Sequence, residues 1–195
     1  MKKYEFTGET KEIVLPYRNA VLHRIRAIAD FGTVKVGDLG GWIEKEENLS
    51  HEGNAEVYGN AEVYGNALVR GDAKVYDNAE VYDNAEVYGN AGVYDNAGVY
   101  DNAKVCDNAE IFLTSQVLTI GPIGSRNGFT TFYRDKDNEI TVKCGCFLGK
   151  MEQFLEKVEQ THGDSKHGQV YRAAAEMARL QIDLSLEKPV KAEIE

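Results

Sequence analysis

Cysteines and long apolar runs are scarce in this sequence. Only three of its 195 residues are cysteine, an odd number that argues against a disulfide framework and suits a reducing compartment. No run approaches the ~18 apolar residues of a membrane-spanning helix, and the first residues are charged rather than signal-like. The sequence therefore predicts a soluble, cytoplasmic protein with no membrane partner.

Basic residues are scarce in the middle of the chain. Residues 54–113 contain three basic and eleven acidic side chains, a net charge of −8, whereas residues 1–53 and residues 114–195 each carry a net charge of −1. An acidic surface repels polyanions, so nucleic acid is not expected along this segment. Any anionic ligand should bind at the two ends, although solubility alone also explains the acidic surface.

The middle of the chain contains a six-residue repeat instead. Ten units follow one another from Asn54 to Leu113, with valine or isoleucine at every sixth position from Val57 to Ile111 and alanine two residues before each. A period of six fits neither a helix nor an alternating strand. It fits a three-sided solenoid in which three hexads close a coil of eighteen residues and stacked coils bury the apolar columns. Gly-Asn and Asp-Asn pairs supply corners that need positive φ.

The repeat also predicts where the solenoid begins and ends. The spacing of six continues at Val117 and Ile123, and it is present upstream at Ile43 and Leu49, although Leu49 lies eight residues before Val57. We therefore expect a β-helix over about residues 43–123 with an irregular first coil. The predicted domains are a β-rich N-terminal cap (1–53), the hexapeptide-repeat β-helix (54–123) and a C-terminal α+β module (124–195).

Side chains that follow the inward valines should face outward and stack from coil to coil. Three such columns are expected: Tyr58, Tyr76, Tyr94 and Phe112; Tyr64, Tyr82 and Tyr100; and Arg70, Tyr88 and Cys106. The alternative is that one column, Tyr64, Tyr82 and Tyr100, contacts another chain, because tyrosine is enriched at protein interfaces.

The C-terminal module is predicted as three strands followed by two helices. A hairpin joins the second and third strands, and the first helix carries Met151, Phe154, Leu155 and Val158 on one face and stops at Gly163. The second helix is predicted from Gln169 to Leu184.

Most candidate ligand-binding residues lie in this module. Ser125, Arg126 and Asn127 occupy a glycine-bounded loop whose backbone N–H groups and guanidinium suit a phosphate, and His162 is a candidate neighbour. A metal site built from two histidines, an aspartate and a pair of cysteines is an alternative, but its spacing is not standard, so neither a metal nor a cofactor is expected. The alternative for these residues is a purely structural role.

The segment from Arg24 to Ser50, the hexads and the C-terminal motifs I-G-P-I-G-S-R-N-G, C-G-C-F and T-H-G resemble a family of phage and prophage hexapeptide-repeat proteins that are often labelled transferases. The resemblance covers nearly the whole chain. It implies a left-handed parallel β-helix, a homotrimer and, for a phage protein, a location in the host cytoplasm.

Three functions remain open at this point. The first is a non-catalytic phage binding protein that sequesters or blocks a host factor, either a phosphorylated nucleotide signal or a defence protein. The second is a hexapeptide-repeat acyltransferase, which normally uses a histidine base; histidine is absent between Asn54 and Gln160, so His51 is the candidate nearest the repeats. The third is a structural scaffold. We expect the first, with no catalytic residue.

Overall fold

The repeat region folds as a parallel β-solenoid between an N-terminal cap and a C-terminal module. The computed structural model describes residues 1–189; the last part of the predicted C-terminal module, residues 190–195, lies outside the described residues. The cap and solenoid contain the strands β1 (Tyr4–Val14), β2 (Asn19–Ala27), β3 (Leu39–Ile43), β4 (Leu49–Gly53), β5 (Glu56–Val57), β6 (Glu62–Val63), β7 (Leu68–Gly71), β8 (Lys74–Val75), β9 (Glu80–Val81), β10 (Glu86–Val87), β11 (Gly92–Asn96), β12 (Gly98–Val99), β13 (Lys104–Val105) and β14 (Glu110–Leu113).

The solenoid has three faces, each four parallel strands deep, which confirms the predicted β-helix. One face stacks β3, β6, β9 and β12; the second stacks β4, β7, β10 and β13; and the third stacks β5, β8, β11 and β14. Val63 pairs with Val81 and Val81 pairs with Val99, which is the predicted interval of eighteen residues. The inward valines and alanines form one continuous buried core.

The first coil is irregular, as the eight-residue spacing before Val57 predicts. Ile43 pairs with Val63 and Leu49 pairs with Val69, both twenty residues apart, whereas Val57 pairs with Val75 at the regular eighteen. At the corners, Asp or Gly takes the left-handed conformation, with φ of 54° to 60° at the aspartates and 68° to 73° at the glycines from Gly53 to Gly89. Asp and Gly tolerate this conformation better than other residues, which explains their alternation.

The solenoid ends earlier than the repeat spacing predicts. Val117 and Ile123 do not continue the coils, because they belong to β15 (Val117–Ile123), which pairs antiparallel with β16 (Gly128–Arg134). A short 3₁₀ turn, Thr114–Gln116, redirects the chain. The buried Gln116 accepts hydrogen bonds from the backbone N–H groups of Phe112 and Leu113 at 3.0 and 3.2 Å, and so replaces the carbonyls that another coil would supply.

The C-terminal module has four strands, not three. The sheet order is β15, β16, β17 (Ile140–Cys144) and β18 (Phe147–Lys150), all antiparallel, followed by α1 (Met151–His162) and α2 (Lys166–Gln181). The predicted third strand is split because Gly145 adopts a φ of 57° and turns the chain. Helix α2 begins earlier than predicted because Ser165 caps it, accepting a hydrogen bond from the Gly168 N–H group. Within residues 1–189, neither helix is long and apolar enough to cross a membrane.

Candidate functional site

The C-terminal module is fixed to the last coil by hydrogen bonds from its second strand. The buried Tyr133 hydroxyl donates to the Cys106 carbonyl at 3.1 Å, and the Arg134 guanidinium donates to the Glu110 carbonyl at 3.0 Å. In the following turn, the Lys136 N–H group donates to the Asn108 carbonyl at 2.9 Å. These bonds join the module to the last coil of the solenoid.

Asp135 stabilises the turn that carries Lys136. Burial opposes ionisation of the Asp135 carboxyl, but hydrogen bonds from Lys150 at 2.6 Å and Thr141 at 2.5 Å outweigh it and hold the pKa below its ordinary value. The carboxylate is therefore a structural anchor of the module, already satisfied by its neighbours.

The predicted loop is a tight turn between β15 and β16. The Asn127 N–H group donates to the Gly124 carbonyl at 3.3 Å, and both residues have positive φ, 47° and 73°. A Cβ atom at Gly124 would lie 1.8 Å from the Tyr171 hydroxyl oxygen, so only glycine lets helix α2 approach this closely. The turn thus presents Ser125 and Arg126, both exposed, beside the helices.

Three of the four predicted ligand-binding residues line one cavity. Ser125, Arg126 and His162 surround a space of about 250 Å³, whereas Asn127 closes the turn instead of lining it. The walls are largely apolar and come from the ends of β16–β18 and from both helices: Phe129, Cys144, Cys146, Phe147, Phe154, Val158 and Tyr171. Among the described residues that line the cavity there is no aspartate or glutamate, while Lys157 adds a second basic side chain.

Arg126 differs from the other arginines of the chain. Seven of the eight donate hydrogen bonds to carboxylates or carbonyls: Arg18, Arg24, Arg26, Arg70, Arg134, Arg172 and Arg179. Within residues 1–189, Arg126 makes neither a hydrogen bond nor an ion pair, and the same holds for Lys157. Two cations without anionic partners therefore meet at an apolar cavity in a chain whose net charge is −10.

Three of the rings that line the cavity pack against one another. Tyr171 and Phe154 pack edge to face with ring centroids 5.7 Å apart, and the His162 ring lies 5.5 Å from the Tyr171 ring. Burial raises the pKa of Tyr171 to about 12, with nearby Cys144 acting in the same direction, so its hydroxyl stays protonated. His162 stands at the end of α1, one helical turn beyond Val158.

Several residues of the cavity are absent from the sequence predictions. Lys157, Phe129, Phe147 and Tyr171 come from four different elements, and no periodic pattern links them. One signal was available: the predicted apolar face of α1 at Phe154 and Val158 extends by one turn to His162.

His51 packs against the N-terminal cap. Its Nδ1 atom accepts a hydrogen bond from the Lys3 N–H group at 3.3 Å, its Nε2 atom lies 3.8 Å from Glu46, and its ring packs on Tyr4 with centroids 4.3 Å apart. Burial lowers the pKa of His51 despite the opposing influence of Glu46, so the neutral ring is favoured. The Nδ1 atom is thus occupied by a hydrogen bond within the cap, while the Nε2 atom is buried and has no hydrogen-bond partner within residues 1–189.

A second apolar cavity, of about 300 Å³, lies between the cap and the first coil. Its one fully buried charged group, the Glu56 carboxylate, accepts from the Thr33 N–H group at 2.7 Å and forms an ion pair with Lys74 at 3.1 Å. The Glu56 carboxylate thus already has its hydrogen-bond and ion-pair partners within the chain. Within residues 1–189, no group of three or more His, Cys, Asp or Glu side chains is arranged to hold a metal ion.

The proposed interface column is only partly exposed. The rings of Tyr64, Tyr82 and Tyr100 stack at 5.1 and 5.2 Å, as expected for coils eighteen residues apart. Tyr64 does not face solvent, however: it is 6% exposed, because it packs against Leu22 and Trp42 beneath the β1–β2 hairpin. Tyr100, by contrast, is 39% exposed.

Comparison with known proteins gives one local likeness. No protein-family model matches the chain. A segment is 37% identical over 62 residues to the uncharacterized acetyltransferase YdcK of Escherichia coli (strain K12). The match covers 30% of this chain and 19% of the relative, so the chain spans about a fifth of the length of the protein that it matches. Together with the solenoid, this likeness fits a hexapeptide-repeat β-helix.

Proposed function

We propose that this chain is a non-catalytic binding protein whose C-terminal cavity holds a small anionic molecule with an apolar body. The observation that carries the proposal is that Arg126 and Lys157, neither of them paired within residues 1–189, line the same apolar cavity, which has no acidic lining residue among the described residues. Guanidinium groups form strong charge-assisted bonds with phosphate and carboxylate, and the apolar walls suit the remainder of such a ligand.

The solenoid acts as a rigid support in this proposal. Its inner positions are filled by valine and alanine, so it offers no interior space for a substrate. On the resemblance to phage proteins, the bound molecule or partner would be a host factor, either a nucleotide signal or a defence protein, and the site of action the host cytoplasm.

A fluorescence titration with anilinonaphthalene sulfonate, an anionic aromatic probe, tests the cavity. We expect saturable binding that weakens roughly ten- to hundredfold in Arg126→Gln, because a charge-assisted contact is lost. The matched control is Arg179→Gln, which removes an exposed arginine of the same module that already pairs with Glu152 and Glu176. Equal binding by wild type and Arg126→Gln would refute the proposal.

We also propose a homotrimer that uses the exposed part of the tyrosine column. A shallow cavity of about 360 Å³ adjoins Tyr82 and Tyr100 and is lined by Gly98 and Thr114, so a second copy would find an aromatic edge beside a small-residue depression. Light scattering should give three times the chain mass for wild type and a smaller mass for Tyr100→Lys. A wild-type monomer would contradict this.

An acyltransferase is the second candidate, favoured by the name of the curated relative. It requires a general base, and His51 is the histidine closest to the repeats. A thiol-detection assay with acetyl coenzyme A distinguishes the two functions. We expect no thiol release above background; release that disappears in His51→Gln would establish the enzyme.

A further inference from the structure

One wall of the C-terminal cavity is an aromatic ring with an open side. Phe129 follows Gly128 at the start of β16 and is 41% exposed, whereas Phe154, which also lines the cavity, is only 3% exposed. A Cβ atom at Gly121 would lie 2.4 Å from Cδ1 of Phe129, so the ring rests directly on the Gly121 backbone. The ring is therefore supported from one side while remaining accessible from the cavity, which is the arrangement of a stacking platform for a planar group.

The anion-binding groups lie next to this platform in the chain. Arg126 precedes Phe129 by three residues and lies, together with the exposed Ser125 hydroxyl, in the turn that leads into β16. Lys157 and His162 come from α1 and line the same space. A ligand that stacks on Phe129 would thus keep its negative group beside Arg126 and within the basic part of the lining.

Size and charge restrict the ligand further. At about 250 Å³, the cavity lies just below the usual range for drug-sized ligands, roughly 300–1,000 Å³, and therefore suits a small ligand. The chain carries a net charge of −10, with most of the excess on the solenoid, and this disfavours a nucleic-acid strand continuing beyond the cavity.

We infer that the ligand of this cavity is a free mononucleotide whose base stacks on Phe129 and whose phosphate pairs with Arg126. This inference rests on the proposed function, and it adds the chemical class of the ligand and the residue that selects it.

Isothermal titration calorimetry with AMP, GMP, CMP and UMP, the corresponding nucleosides, and inorganic phosphate tests the inference. At least one monophosphate should bind, and it should bind at least tenfold more tightly than its nucleoside or inorganic phosphate. Phe129→Leu should weaken that binding roughly 5- to 150-fold, the range expected for loss of base stacking. Phe129→Trp keeps a platform and should retain binding.

Tyr17→Leu is the matched control, because Tyr17 is a fully exposed aromatic residue between β1 and β2 and lies outside both the cavity and the proposed interface. It should leave nucleotide binding unchanged, and circular dichroism should show that both leucine variants remain folded. Tighter binding of a single-stranded oligonucleotide than of any monophosphate would overturn the assignment of a free mononucleotide, and equal binding by Phe129→Leu and wild type would overturn the stacking role.

The anionic probe separates this inference from the proposed function. If anilinonaphthalene sulfonate binds in an Arg126-dependent manner but no monophosphate binds, the nucleotide inference fails and the binding function stands. If neither the probe nor any nucleotide depends on Arg126, both fail.

Discussion

The solenoid and the C-terminal module pack their side chains in different ways. In the solenoid, inward residues of successive coils pair with one another, as Val63 does with Val81, and the corner N–H groups donate to the next coil, as Asn60 does to the Asp77 carbonyl at 2.7 Å. In the module, four strands and two helices converge without periodicity and leave a cavity with two unpaired cations. Repetition fills space uniformly, whereas irregular packing can leave a place for a ligand.

The largest expected effect is in the solenoid core. Val81→Asp places a charge between two buried coils at a position that is 0% exposed, and it should cost roughly 3–5 kcal/mol because no partner is available. Denaturant unfolding followed by circular dichroism measures the loss. Tyr82→Ala, the next residue on the half-buried column, should cost only about 1–2 kcal/mol. Equal losses would show that the inward and outward assignments are incorrect.

The junction between the two regions should give the next largest effect. Tyr133→Phe removes the hydroxyl that donates to the Cys106 carbonyl and leaves that acceptor with only the Ala109 N–H group at 3.3 Å, at a cost of about 0.5–1.5 kcal/mol. Tyr17→Phe is the control, because Tyr17 is fully exposed and should change nothing. A stability of Tyr133→Phe equal to that of wild type would mean that the hydroxyl does not hold the module in place.

Residues with positive φ occur at corners in both regions, so the effect of replacing them can be compared directly. Asp83 in the solenoid and Asn127 in the module have φ of 58° and 47°, so replacement of either by alanine should cost about 1 kcal/mol, while glycine should be tolerated. Thermal melts measure both. Only Asn127→Ala should also weaken binding of the anionic probe, because Asn127 closes the turn that presents Arg126. Loss of probe binding in Asp83→Ala would argue against the proposal that the solenoid only supports the module and that the C-terminal cavity alone binds the ligand.

The smallest expected effect concerns pH and the N-terminal cap. Because the pKa of His51 is lowered in the folded state, the unfolded chain takes up its proton first as the pH falls below about 6.5. Folded stability should therefore decrease between about pH 7 and pH 5, and His51→Gln should flatten this decrease. Parallel denaturation series at these pH values provide the measurement, with His167→Gln, an exposed histidine, as the control. Identical slopes in His51→Gln and wild type would exclude the effect.

The repeat made the solenoid predictable from sequence, since the spacing from Val57 to Ile111 defines both the inward columns and the stacked pairs eighteen residues apart. The end of the coils was not predictable in the same way. Val117 and Ile123 keep the spacing, but Gln116 occupies the backbone groups that would otherwise pair with another coil. The spacing of residues along the sequence does not show that a side chain takes the place of the backbone groups of a further coil.

The sequence predicted only those residues of the candidate site that lie close together along the chain. Ser125 and Arg126 were identified from one short loop, whereas Lys157, Phe129 and Tyr171 join them through the packing of separate elements. The burial of Tyr64 has the same origin: the hairpin that covers it is more than thirty residues away in sequence, and nothing in the hexads indicates it.

The eighteen-residue coil sets a unit of length for the molecule. Adding one whole coil would move the C-terminal module about 4.8 Å further from the cap, the spacing of adjacent strands, and keep it above the same face. Adding a single hexad would turn it by one face of the prism instead. Duplications in this gene can therefore change the separation and the orientation of the two ends in discrete steps, without any new core having to evolve.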